Sequence, residues 1–174
     1  MPTPIILAIE RIRSITIYLR WKNDKKFGKD NFLKNTNNLK GKFINKRCVI
    51  IGNGPSLNKI DLSLLKNEYT FGLNRIYLLF EKMGFQTDFL VSINRFVIDQ
   101  FHAEMTSTSS KKFFHYKYKN LINDSKASFV AQSIYGPSCF ANPDKGFLSY
   151  SGSVTFLAVQ LAAYFGFSEI ILVG

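Results

Sequence analysis

The stretch Cys48-Val49-Ile50-Ile51-Gly52-Asn53-Gly54-Pro55-Ser56 decides the fold. Four apolar residues in a row, without alternation, describe a strand buried on both faces, as in parallel sheets covered by helices. The glycines that follow stop the strand, and Pro55 suits the first position of a helix or turn. Outward from it, residues 69–73 and 88–93 repeat the strand pattern, and 112–116 reads as a further strand. A helix runs through Ile76, Leu79, Phe80 and Met83 to a stop at Gly84, and residues 96–105 form another. Residues 153–165 read as a helix whose Ala158, Ala162 and Ala163 allow close approach to a sheet. Gly166 caps it, and 169–173 begins a last strand. Residues 106–110 and 119–150 read as irregular. The alternation predicts an α/β, Rossmann-like, mostly parallel sheet with helices on both faces.

The chain has 174 residues, of which 46% are apolar, with 17 Phe and 8 Tyr. That is enough for one compact domain and excludes a disordered chain. Cys48 and Cys139 are too few for a disulfide framework, which makes a reducing compartment the expectation. The net charge of +11 is unevenly placed. Residues 1–50 hold 12 Lys/Arg against 3 Asp/Glu, and residues 51–174 hold 11 against 9. Two parts follow: a basic N-terminal helix and linker over 1–46, and a nearly neutral domain over 47–174. A nucleic-acid reader carries its basic surface on the fold itself, so no nucleic-acid partner is expected. The basic arm suits an anionic membrane surface, while Lys25, Lys26, Lys29, Lys34, Lys40 and Lys42 equally suit a solubilised linker.

Ile5, Ala8, Ile9, Ile12, Ile15 and Leu19 recur at helical spacing, with Arg11, Arg13 and Arg20 off the stripe. Residues 5–21 therefore predict an amphipathic helix that lies on a bilayer or docks on the domain. The N-terminus lacks the basic region of a secretory signal. Residues 146–168 contain no charge, yet their Ser, Thr, Gln and Gly content describes a buried helix rather than a membrane span. The expected location is cytoplasmic, peripheral at the inner membrane.

In a parallel sheet the strand ends converge on one edge, where ligands bind. Gly52, Asn53, Gly54, Pro55 and Ser56 form the strongest candidate there: exposed N–H groups at a strand-to-helix turn bind phosphate. The turn lacks the third glycine of the dinucleotide fingerprint and the Lys-Ser/Thr of the Walker loop. A ligand-free tight turn is its alternative. Ser151, Gly152 and Ser153 open a helix and offer a second anion site or simple capping. Asn74 and Asn94 follow strands and can both donate and accept, or merely form turns. All these positions are expected to face one crevice. His102 and His115 have no carboxylate spaced to orient them and read as structural or exposed. No metal-ligand cluster is visible. The mixed basic and aromatic run over 111–119 has the composition of a single-strand nucleic-acid groove, but reads as a solvated strand edge with a buried aromatic face.

The residues 49–57 followed by Ile60-Asp61, with Asn74, Asn94, Ser151-Gly152 and residues 166–170, resemble bacterial sialyltransferases of glycosyltransferase family 42. Residues 151–174 equally resemble the 6-hydroxymethylpterin pyrophosphokinase-like domains. The resemblance spans about 47–104 and 149–174. The first family implies a CMP-sugar donor held without a metal by Asn53, Asn74, Asn94, Ser151 and Gly152. It implies a glycan or lipid-linked acceptor in surface-polysaccharide or lipopolysaccharide synthesis, and no cofactor. The second family implies magnesium-bound ATP. There the third strand ends in an aspartate, where this sequence has Asn94, which lacks the anionic oxygen magnesium favours. The histidine and two tyrosines of family 42 fall after the position of Gly174, so the resemblance implies a general base beyond residue 174 and a truncated chain. A non-catalytic nucleotide-binding module is the remaining reading.

Overall fold

The structure is a computed structural model that describes residues 4–29, 31–133, 147–149 and 152–174. Among the described residues seven strands form one sheet: β1 (Arg47–Ile51), β2 (Tyr69–Leu73), β3 (Phe89–Ser92), β4 (Lys111–His115), β5 (Ser128–Ser133), β6 (Phe147–Ser149) and β7 (Glu169–Val173). Their order is β6-β5-β4-β3-β2-β1-β7, and every pairing is parallel. The expected Rossmann-like α/β architecture is present, with all strands parallel.

The helices are α1 (Pro4–Lys26), α2 (Asn31–Thr36), α3 (Phe80–Met83), α4 (Arg95–Ser107) and α5 (Val154–Phe165). Each central strand divides its side chains between two cores, as the two-residue period of a strand requires. Cys48 and Ile50 face Phe71, Phe89, Phe113, Leu157, Leu161 and Phe165, the side covered by α2 and α5. Val49 and Ile51 face Leu57, Ile76, Leu90, Ile98, Met105 and Phe114, the side covered by α4 and the end of α1. Ala158 and Ala162 on α5 are fully buried, as expected of residues that approach a sheet, whereas Ala163 faces outward and is exposed. Gly166 ends α5 in the left-handed conformation, with φ of 92°.

Four expectations from the sequence require correction. Residues 119–150 are not wholly irregular, since β5 and β6 lie within them. Residues 111–119 do not form a sheet edge, because β4 sits between β3 and β5, although the aromatic face expected to be buried is buried at Phe113, Phe114, Tyr116 and Tyr118. Lys112 is buried too and pairs with Asp124 at 3.3 Å. The segment read as a linker packs into the core through Phe32, Leu39 and Phe43, with Phe43 stacked on Phe167. Finally, Pro55–Lys59 is a five-residue 3-10 turn, too short to project the aligned dipole of an α-helix.

The helix α1 docks by its C-terminal half. Trp21 is buried, Arg20 donates to Asn120 Oδ1 at 2.7 Å, and Asp24 accepts from Tyr116 and Lys119. Ile9, Ile12, Ile15 and Leu19 remain exposed. Among the described residues no helix is long and apolar enough to cross a membrane.

Candidate functional site

The strands β1 to β6 lie in sequence order, while β7 returns to the far side of β1. At the carboxyl edge the connection from β1 runs towards β2, while β7, which arrives from β6 through α5, flanks β1 on its other side. In parallel α/β sheets ligands bind at this edge. The backbone closes tightly here. Gly52 N–H donates to the Val173 carbonyl at 2.8 Å. A Cβ on Gly54 would lie 2.8 Å from the backbone carbon of Gly174, so only glycine fits without a shift.

Three asparagines knit the neighbouring strand ends. Asn53 Nδ2 donates to the Leu73 carbonyl at 2.7 Å, tying the β1 turn to β2. Asn74 adopts φ of 49°, a left-handed conformation that asparagine tolerates better than most residues. Its N–H donates to the Val91 carbonyl at 2.9 Å, and its Oδ1 accepts from Ser92 Oγ at 3.1 Å. Asn94 Oδ1 caps α4 by accepting from Val97 N–H at 3.3 Å. With those oxygens engaged, the groups Asn74 and Asn94 can turn to a ligand are their Nδ2 donors.

Two cavities open above these strand ends. The first, of about 470 Å³, is bordered by Asn53, Gly54, Pro55, Asn58, Asn74 and Arg75. The Arg75 guanidinium lies 3.7 Å over the Phe101 ring, a stacked contact that holds its charge at the rim. The second, of about 720 Å³, is bordered by Asn74, Asn94, Arg95, His115, Lys117 and Gly152, with Arg13 and Ile17 of α1 on the remaining wall. Asn74 borders both. The glycine turn and Gly152 thus line adjacent cavities that share one residue. Ser151 lies outside the described residues, and the Ser153 side chain makes no capping hydrogen bond to α5.

His115 sits at the end of β4 and lines the second cavity. Its Nδ1 accepts from Lys117 N–H at 3.2 Å, which assigns the proton of the neutral ring to Nε2. Burial, with the nearby Lys117 charge, pushes its pKa down to about 4. His115 is therefore neutral at neutral pH, with its Nε2–H as a donor. Beside it, the Tyr118 hydroxyl is buried without a hydrogen-bond partner among the described residues, and burial pushes its pKa up to about 12. Among the described residues Asp99 is the one carboxylate on this cavity, and Arg95 donates to it at 3.4 Å. Among the described residues no cluster of three His, Cys, Asp or Glu could hold a metal.

Sequence reasoning gave no site role to Arg75, His115 or Arg13. The Asn74-Arg75 pair after β2 was a readable signal, because a cation beside a strand end reaches the ligand edge. His115 and Arg13 carried none, since their placement depends on which strands and helices are neighbours.

No curated protein matches the sequence. A solved structure similar to it is that of the MAf glycosyltransferase from Magnetospirillum magneticum AMB-1, 19% identical, with a TM-score of 0.53. The match covers 75% of this chain and 22% of that one, so this chain spans under a quarter of its length. At that identity the likeness is one of fold. The family model described as 6-hydroxymethylpterin diphosphokinase MptE-like matches residues 22–174, and the chain belongs to that family.

Proposed function

We propose that this chain is the nucleotide-binding core of a glycosyltransferase that uses a sugar nucleotide, with a CMP-sugar as donor. The carrying observation is the first cavity: it opens over the carboxyl ends of β1 and β2, with the Gly54 backbone, the Asn53 amide and the Arg75 cation at its border. Gly52 and Ser56 stand next in the chain to the residues that line this cavity and belong to the same candidate site, whereas Ser151 and Ser153 flank Gly152, which lines the second cavity. The cavity-lining amides suit a base and sugar, and Arg75 suits a phosphate.

In the proposed step an acceptor hydroxyl attacks the anomeric carbon. The new C–O bond forms as the bond to the nucleotide phosphate breaks, the nucleotide leaves with the electron pair, and the hydroxyl proton passes to a base. Backbone N–H groups of the glycine turn and Arg75 would stabilise the departing phosphate. The acceptor would be a glycan or lipid-linked sugar of the cell surface. The exposed isoleucine row of α1, beside Lys22, Lys25 and Lys26, would hold the enzyme on an anionic membrane face.

The family description favours a second reading, transfer of diphosphate from ATP to a hydroxymethylpterin. There the pterin hydroxyl would attack the β-phosphorus and AMP would leave. Magnesium-bound ATP calls for carboxylate oxygens, and the described strand ends offer Asn53, Asn74 and Asn94 instead. That chemistry favours sugar transfer. Calorimetry separates the two: CMP binding in the presence of EDTA is expected, weakened about tenfold or more in Arg75→Met. Binding of ATP only with magnesium, and none of CMP, would overturn the glycosyltransferase reading.

A further inference from the structure

We propose that the cavity walled by α1 binds the phosphate group of the second substrate, a phosphate ester whose neighbouring portion is apolar. The proposal rests on the transferase reading only in calling this ligand a second substrate. Arg13, Arg95 and Lys117 bring cations to this cavity from α1, α4 and the 3-10 turn after β4, and among the described residues Asp99, paired with Arg95, is the one carboxylate that lines it. The Nε2–H of His115 and the Nδ2 of Asn94 add neutral donors. A lining dominated by donors matches a group that only accepts, which phosphate does. Ile17, Phe96 and Val154 supply an apolar wall beside these groups.

Arg13 and Ile17 are one helical turn apart and share a face of α1. The helix is fixed in place by Trp21 and by the Asp24 contacts to Tyr116 and Lys119. Both residues precede residue 22, where the family match begins. The family match therefore does not extend over this wall.

The test follows backbone amide shifts of the full ¹⁵N-labelled chain during titration with inorganic phosphate and with phenyl phosphate, with and without saturating CMP. Saturable shifts are expected at residues 94–97 and 115–118 in both conditions, with phenyl phosphate the tighter ligand. Arg13→Glu and, independently, Lys117→Met should weaken phenyl phosphate about tenfold and leave CMP affinity unchanged. Shifts confined to residues 52–56, or none, overturn the proposal. Displacement of phosphate by CMP also overturns it, because the cavity would then hold the nucleotide's own phosphate. Phosphate shifts here without any CMP binding would sink the transferase reading and keep the anion site. Competition by phosphatidic acid vesicles would identify a lipid source of the phosphate, and its lack a soluble ester.

Discussion

Asn74 Oδ1 accepts a hydrogen bond from Ser92 Oγ at 3.1 Å while the Asn74 backbone is held at φ of 49°. One residue thus fixes the end of β2 against the end of β3 and stands between the two cavities.

Asn74→Ala removes the bond and keeps the left-handed backbone, whereas Asn74→Gly removes the bond and relaxes the backbone. The alanine variant should lose about 1–3 kcal/mol of stability and the glycine variant less. Urea unfolding ranks the two. Equal losses would show that the backbone conformation carries no strain.

The buried Lys112–Asp124 pair makes an asymmetric prediction. Asp124→Ala leaves a buried ammonium without its partner and should cost about 3–5 kcal/mol. Lys112→Met replaces the charge with an apolar chain of similar length and should cost far less. Denaturant midpoints that fall equally for both would refute the burial of the lysine.

His115 links stability to pH. Its folded pKa of about 4 lies below the ordinary 6.5, so the folded state binds fewer protons than the unfolded one. Its contribution is complete above 6.5 and is lost as pH falls towards 4. His115→Asn, which retains an acceptor for Lys117 N–H, should lose less stability than the wild type between pH 7 and pH 4.5. Parallel curves across that interval would place the imidazole in water.

The exposed Ile12, Ile15 and Leu19 make α1 a candidate membrane-surface element. Co-sedimentation with anionic vesicles is expected, and it should weaken with salt, as charge attraction does. Ile12→Glu with Ile15→Glu should reduce it about tenfold or more. Undiminished binding by this variant would assign the interaction to the lysines alone.

Much of the frame was legible from local pattern. The run Cys48 to Ile51 has no alternation, and it is buried on both sides. Gly84 and Gly166 end helices where the backbone turns left-handed, as a glycine after an apolar period predicts. The strands β5 and β6 were not legible. Their segments offer little periodicity, and a three-residue strand such as β6 exists only because β5 is beside it. Phe32, Leu39 and Phe43 looked like isolated anchors in a polar stretch until α5 and the sheet supplied a surface for them.

The candidate site divides in the same way. The sequence by itself determined that glycine, asparagine and serine turns follow buried strands, because residue type and spacing dictate strands and turns locally. Only the tertiary structure decided that β7 lies against β1, that the glycine turn and Gly152 border separate cavities, and that Arg13 and His115 face the same space. Parallel strand pairing joins residues far apart in the chain, and no local pattern encodes which of them become neighbours.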